Sequence, residues 1–499
     1  MSHHYHNYID GRWAEAGSGR RFESRNPARR DEIVGSFPRS DASDVNAAVE
    51  AAHRAFPAWR DTPAPIRADI ILRTGLLLQE HKEDLAVLET CEMGKVLEEG
   101  RGDVQEGIDM AKYIAGEGRR LFGETVPSEL RNKFAMMVRQ PIGTVGLITP
   151  WNFPVAIPTW KLFPALICGN TVVFKPAEDT PACATRLVQV FEEAGLPPGV
   201  LNLVHGYGPE AGAPIVEDPR IRMLSFTGSS VVGREIAAAA GRSLKKVMLE
   251  LGGKNAMIVM PDANLDLALE GAVWGAFGTT GQRCTATSRI ILHRDIAEQF
   301  TDRLIERARR LRVGFGLDPG VEVGPLINRE QLETVHGYTE IGRQEGARLR
   351  LGGEPLSGDE YECGYFYPPT VFTDVEPGMR IAQEEIFGPT VCILTVESFD
   401  EAVTVANSTE YGLSSAIYTQ DINLAFRAMQ ELEAGITYIN APTIGAEIQL
   451  PFGGVKDTGN GHREAGTSAI KEFTEIKAVY VDYSGKLQRA QIDVEQHGA

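Results

Sequence analysis

From residue 143 onward the chain alternates short, wholly apolar runs with helical segments, and this alternation limits the fold more than any other feature. The runs are Thr144 to Thr149, Thr171 to Phe174, Val200 to Val204, Met223 to Phe226 and Ala256 to Met260. Helical segments around 155–168, 181–194, 208–217 and 230–240 separate them. A strand apolar on both sides must be covered on both sides, and parallel strands need a crossover between them. A parallel sheet with helices on each face is therefore predicted. The pattern resumes after 265 with Arg289 to Leu292, a helix over 295–312 and strands near 348, 370, 391 and 415. With 499 residues to accommodate, two α/β domains are expected rather than one core.

The first 140 residues read differently. Ser40 and Asp41 open a helix over 41–60, with Val45, Ala48, Val49, Ala52 and Phe56 at helical spacing. A second helical region spans 65–94, and a third leads into Gly116 and Gly118. Lys133 to Arg139 reads as a strand closed by Pro141, and Lys477 to Tyr483 alternates like a half-buried strand. Two such strands outside the main sheets suggest a small sheet that pairs across subunits; an edge capped within one subunit is the alternative.

Composition narrows the partners. Fifty Lys plus Arg against 68 Asp plus Glu leave a formal charge of -18, which argues against nucleic acid or an anionic membrane. The apolar stretch Ile66 to Leu78 is interrupted by Arg67, Asp69 and Arg73 and cannot span a bilayer. The segment MSHHYHNYID has neither a basic n-region nor an apolar h-region, so no secretory signal and a cytoplasmic location are expected. His3, His4 and His6 are read as a frayed polar terminus and not as a metal site. Six cysteines (91, 168, 183, 284, 363 and 392) show no CxxC and no paired spacing, which excludes a disulfide framework or zinc site by pattern.

Several local motifs can carry chemistry. Cys284 lies in Gly281-Gln282-Arg283-Cys284-Thr285, a tight polar loop in which Arg283 places positive charge beside the thiol. Such a thiol is either an inert packing group or a nucleophile. Glu250, between two leucines and before a glycine pair, is either a helix-capping or surface residue or a carboxylate whose burial raises its pKa toward that of a general base. Asn152, in Pro150-Trp151-Asn152-Phe153-Pro154, is a neutral donor in a stiff loop, as an oxyanion hole requires. Phe174-Lys175-Pro176-Ala177-Glu178 ends a strand, and Phe226-Thr227-Gly228-Ser229-Ser230 runs from a strand through a small-residue turn into a helix. Both places suit a nucleotide, although GxGxxG is absent.

Taken together and in order, the motifs PWNFP, KPAEDTP, FTGSS, LELGGKN, GQRCTA, EEIFGP and PFGGVK resemble the aldehyde dehydrogenase superfamily from about Tyr8 to Tyr483. The resemblance implies a Rossmann-like NAD-binding domain over 1–118 and 141–251, an α/β catalytic domain over 252–455, and a β oligomerisation element from 119–140 and 477–499. It also implies a homodimer or homotetramer. By the same resemblance Cys284 is the nucleophile and Glu250 the general base. Asn152 with the Cys284 N–H forms the oxyanion site, while Lys161 and Glu464 pass protons around the base. Lys175 and Glu178 match contacts to the adenosine ribose and Glu385 a contact to the nicotinamide ribose, with Phe387 beside that ring. Trp151 and Ser229 match pyrophosphate contacts, and Ile148, Thr149, Phe226, Gly228, Val232, Leu251 and Gly252 border the cofactor. Glu178 implies NAD over NADP, because a carboxylate repels a 2′-phosphate.

For the substrate, the resemblance sets Phe153, Trp160, Thr285, Ile444 and Phe452 along a tunnel. GQRCTA with GAEIQLPFGGVK and GNGHREAG is similar to branches that oxidise semialdehydes, such as those of 2-oxoglutarate or aminoadipate. Arg283 then either anchors a substrate carboxylate or merely stabilises its loop. His462 makes the Gly459–Glu464 turn one residue longer than in many relatives. A broad-specificity aldehyde dehydrogenase and a coenzyme A-acylating one are the competing enzymatic readings; Glu250 speaks against the latter.

Overall fold

The computed structural model describes residues 3–358 and 360–493. The expected segments also include residues 1, 2, 359 and 494–499, which lie outside the described residues. Two seven-stranded sheets dominate. In the first, Lys246–Glu250, Ile221–Thr227, Thr144–Ile148, Thr171–Lys175 and Leu201–Leu203 lie side by side and parallel. An antiparallel hairpin, Asn7–Ile9 with Arg12–Ala14, extends the last edge. The order is that of a doubly wound sheet, and its direction reverses between Thr144–Ile148 and Ile221–Thr227. Such sheets bind ligands beyond the strand ends at that reversal.

The second sheet runs Arg348–Leu351, Thr370–Thr373, Thr390–Val396, Thr287–His293, Asn255–Val259, Ser414–Tyr418 and Ile436–Ile439. All its neighbours are parallel except the first pair. Only Leu251 to Lys254 join the two sheets, so the last strand of one feeds almost directly into the centre of the other.

The outer strands pair with each other within the chain. Thr474–Asp482 runs antiparallel to Lys133–Pro141, which also pairs with Glu124–Val126. Thr474–Asp482 is left at the edge, with Ile476, Tyr480 and Val481 exposed.

Three local readings change. The helical region expected over 65–94 is two helices, Ala64–Glu80 and Lys82–Glu92, because His81 leaves the helical conformation at ψ 12. The segment expected as one helix over 208–217 begins as a π-helical turn, Gly208–Gly212, before Ala213–Glu217. His3 and His4, read as frayed, pair with Gly35 and Ser36 in a small third-layer sheet whose other strand is Arg21–Arg25. Tyr5, the next residue, stacks on Phe37 and holds that segment down.

The helix Ala156–Ile167 is buried along its whole length and stands directly behind the PWNFP loop. It has no side-chain cap of its own; instead Asp103, from the helix Leu97–Glu117, accepts a 2.5 Å bond from the Ala156 N–H. Lys95 holds Asp103 in turn, at 2.9 Å, and also lies 2.6 Å from Glu89. All three are fully buried at the side chain. Lys95→Met leaves two carboxyl groups without their cation, and we expect a loss of about 3–5 kcal/mol. Denaturant unfolding checks this, with Lys95→Met/Glu89→Gln recovering part of the loss.

Candidate active site

The motifs converge where the two sheets meet. Glu250 is the last residue of its strand, and an isolated bridge to Gly459 fastens it. Its side chain is buried, with one carboxylate oxygen lacking a hydrogen-bond partner among the described residues. A Cβ on Gly453 would stand 2.6 Å from the other oxygen. Burial first, and then the neighbouring Glu464 carboxylate, push Glu250 well above the usual carboxylate range, with Lys161 and Arg463 opposing.

Lys161 and Glu464 form a buried ion pair, and Lys161 also donates to Ser225 Oγ at 2.9 Å. Reciprocal 2.7 Å backbone bonds between Phe452 and Glu464 set that carboxylate in place, so the longer turn around His462 still brings Glu464 to Lys161. Ser225 was not foreseen. A lone hydroxyl inside the apolar run Met223 to Phe226 was the available signal.

Cys284 is half-buried in a loop of unusual backbone. Thr279 and Thr280 both take left-handed conformations, φ 51 and 57, which cost β-branched residues energy. Glu99 accepts the Thr279 N–H at 2.7 Å, and Thr280 Oγ1 donates to Gly324 O at 3.0 Å. Arg283 does not face the thiol as expected. Its Nε donates to Thr279 Oγ1 at 2.8 Å and its Nη2 lies 3.2 Å from Glu99. Burial, with the carboxylates of Glu385 and Glu250, pushes the Cys284 thiol up to about 12. The sequence neighbour that was to favour the thiolate is held by another helix. Asn152 donates its Nδ2 to Gln282 O at 3.1 Å, two residues from the thiol.

Cys284, Glu250, Glu464, Arg283 and Thr285 share a cavity of about 110 Å³ with Phe153, Trp160 and Phe452. Trp160 and Phe452 meet edge to face at 4.8 Å between ring centroids. Ile444, expected on this wall, is buried at 2% exposure, and its neighbours Gly445 and Ala446 form the wall instead. Glu106, which the sequence reading passed over, also lines the cavity.

The expected cofactor residues gather around the sheet reversal. Ile148 pairs in register with Lys175, whose Nζ lies 2.7 Å from Glu178. Thr149 Oγ1 and Thr227 Oγ1, at the ends of the two strands flanking the reversal, are buried without hydrogen-bond partners among the described residues. Phe226 packs on Gly228, and Leu251 on Gly233. Ser229 caps the helix Ser230–Arg242, accepting from Val232 N at 3.4 Å, while the Val232 side chain is exposed. Glu385 accepts the Gly253 N–H at 3.0 Å, and burial raises it to about 7. Its carboxylate lies where a Cβ of Gly252 would be, 2.3 Å away. Phe387 meets Trp151 edge to face at 5.3 Å.

A doubly wound sheet that opens at its reversal onto a thiol and a buried carboxylate defines a cysteine-centred α/β dehydrogenase. The comparisons make the class specific. The aldehyde dehydrogenase family model matches residues 13–479, and the chain belongs to that family. It is similar to the alpha-ketoglutaric semialdehyde dehydrogenase of Bacillus subtilis, 43% identical over 96% of this chain and 98% of the relative. Its similarity to the alpha-ketoglutarate semialdehyde dehydrogenase of Haloferax volcanii is 42% identity over 96% and 99%. Among solved structures, betaine aldehyde dehydrogenase of Staphylococcus aureus in complex with NAD+ superposes with a TM-score of 0.95, at 34% identity over 97% of this chain and 95% of that one. The chain is an aldehyde dehydrogenase, an oxidoreductase. No helix among the described residues is long and apolar enough to cross a membrane, and no group of acidic, histidine or cysteine side chains among them could hold a metal ion.

The raised thiol has a direct consequence. In the protein without cofactor, carbamidomethylation of Cys284 should be slow at neutral pH and accelerate about tenfold per pH unit up to about pH 10. Peptide mass spectrometry reads it, with exposed Cys363 alkylated first. A rate at Cys284 that is flat above neutral pH contradicts the assignment.

Proposed function

We propose that the chain oxidises a carboxylate-bearing semialdehyde to the acid, with Cys284 as nucleophile and Glu250 as general base. The carrying observation is their presence on one cavity, with the thiol and a buried, partner-poor carboxylate both facing the same small space. The Cys284 thiolate adds to the aldehyde carbon, and the carbonyl π-electrons become an alkoxide. Asn152 uses one amide hydrogen on Gln282 O, leaving the second for that alkoxide, with the Cys284 N–H beside it. The C–O double bond re-forms as the C–H bond breaks, the hydrogen departs with the bonding pair as hydride, for which NAD would be the acceptor, and a thioester remains on Cys284. Glu250 then removes a proton from water, the hydroxide attacks the thioester, and the thiolate leaves. Lys161 and Glu464 give the proton on Glu250 a route away from the site.

The residues at the sheet reversal suit NAD. The two unpartnered threonine hydroxyls, the helix N-terminus at Ser229 and the Glu178 carboxylate offer donors, a dipole and a ribose acceptor. When bound, NAD supplies the hydride acceptor and a cationic ring whose charge opposes that of Glu385 and Glu250. Lys175 and Glu178 hold the adenosine ribose, Glu385 the nicotinamide ribose, and the Glu178 charge favours NAD over NADP.

The semialdehyde reading is supported by the relatives from B. subtilis and H. volcanii and by the Arg283 guanidinium on the cavity wall. Arg283 has its Nη1 free of hydrogen bonds among the described residues, so its pairing with Glu99 leaves a donor for a substrate carboxylate. The enzyme works in the cytoplasm, and the exposed edge Thr474–Asp482 joins subunits into a homodimer or homotetramer.

Two measurements test this. Glu250→Gln should give one NADH equivalent per subunit in a rapid burst and then lose about 10²–10⁴-fold in steady turnover, since thioester formation does not need the base. Equal losses in burst and steady state would refute the role, and the same burst with NADP reads the cofactor preference. Light scattering should give a mass of two or four chains; a monomer overturns the assembly.

A further inference from the structure

The cavity wall carries one carboxyl group that the reaction does not use. Glu106 projects from the helix Leu97–Glu117 into the space that Cys284 and Arg283 also line. No hydrogen bond or ion pair engages its carboxyl among the described residues, whereas Arg283 beside it is already held by Glu99 and Thr279.

The surroundings are rich in carboxyl groups. From its own helix Asp103 and Asp109 act on Glu106; Lys95 and Arg283 oppose them from the segments packed against it. Tyr438, on the strand Ile436–Ile439, is raised to about 12 by burial first and then by Glu447 and Glu106. Lys95 is engaged by Glu89 and Asp103, and Arg283 by Glu99, so both cations near Glu106 already have carboxylate partners.

A substrate carboxylate arriving at Arg283 meets either of two walls. If Glu106 is ionised, the carboxylate approaches a guanidinium with two anions around it, and a like charge repels it. If Glu106 keeps its proton, the wall offers an O–H donor next to the free Nη1 of Arg283. Two donors then meet two carboxylate oxygens, and the bond from a carboxyl to a carboxylate is of the strong, charge-assisted kind.

We infer that Glu106 is a specificity-determining residue that, in its protonated form, donates a hydrogen bond to the distal carboxylate of the substrate and, when ionised, rejects it. This rests on the semialdehyde reading above. Burial raises Glu106 to about 8, with Asp103 adding to the rise, so the donor form prevails at neutral pH and is lost as pH climbs through that value.

The test uses the full-length enzyme with NAD and a matched pair of substrates, pentanal and its ω-carboxylate, across about pH 7 to about pH 9. Titration of Glu250 or Cys284 affects both partners alike and cancels in the ratio of their kcat/KM values. The ratio favouring the carboxylate should fall about tenfold over that range, carried by KM, as the competent fraction shrinks. In Glu106→Gln, whose amide donates at every pH, the ratio should lose its pH dependence. A carboxylate preference that stays flat in the wild type, or that keeps its slope in Glu106→Gln, overturns the inference and leaves the semialdehyde reading standing. No carboxylate preference at any pH overturns both. A ratio that rises with pH also overturns the inference, because Glu106 would then be acting toward a cation.

Discussion

The chain passes from its first sheet to its second through Leu251, Gly252, Gly253 and Lys254, and the site depends on that passage staying so short. Four residues span little more than a dozen ångströms even when extended. The end of Lys246–Glu250 and the start of Asn255–Val259 are therefore fixed against one another. Glu250 is delivered to the seam by one sheet, while Asn255 stands at the head of the other. Its Nδ2 donates to the Cys284 carbonyl at 2.8 Å, tying the thiol loop to the same seam. Glu385 packs where a side chain on Gly252 would stand and bonds Gly253. A bulkier passage would push Glu250, Glu385 and the Cys284 loop apart, and displacements near 1 Å already matter in catalysis.

The electrostatics follow from the same seam. Glu250, Glu385 and Glu464 lie around the thiol, with Lys161 and Arg463 opposing the rise at Glu250 and Lys254 that at Glu385. Arg283, which adjacency alone would assign to the thiol, is spent on the left-handed turn at Thr279 and on Glu99. The free protein thus holds its nucleophile as a thiol, and a cationic ligand at the reversal of the first sheet has something to offset.

What the sequence made legible, and what it hid, divides along a physical line. Strands such as Thr171–Lys175 and Asn255–Val259 are buried at every position, and their apolar centres, Val172 to Phe174 and Ala256 to Val259, make them legible in composition. The strand at Lys133 and the alternating strand at Lys477 were expected to share a small sheet, and the structure pairs them antiparallel within one chain. Periodicity could not place side chains in loops. Ile444 turns into the interior and leaves the wall to Gly445 and Ala446; Arg283 answers to a glutamate 184 positions away. Glu106 sits on a regular helix, yet helical spacing says only which side it occupies, and the cavity on that side is assembled from segments as far apart as Phe153, Cys284 and Phe452. The identities of Cys284, Glu250 and Asn152 came from motifs, because their meaning lies in a convergence that no local pattern encodes.

Lys161 shows how far that convergence reaches. It is one cation among two carboxyl groups, bound to Glu464 and to Ser225 and acting on Glu250 only through space. Its attraction lowers Glu250, while burial first and then the Glu464 carboxylate it holds in place raise it. Once Glu250 has taken a proton from water it can serve as a base again only after passing that proton on. Lys161, Ser225 and Glu464 are the polar groups behind it, buried and already bonded to one another. Neutralising Glu464 therefore does not simply remove an acceptor: it also relieves the repulsion on Glu250, and the two consequences for turnover have opposite signs.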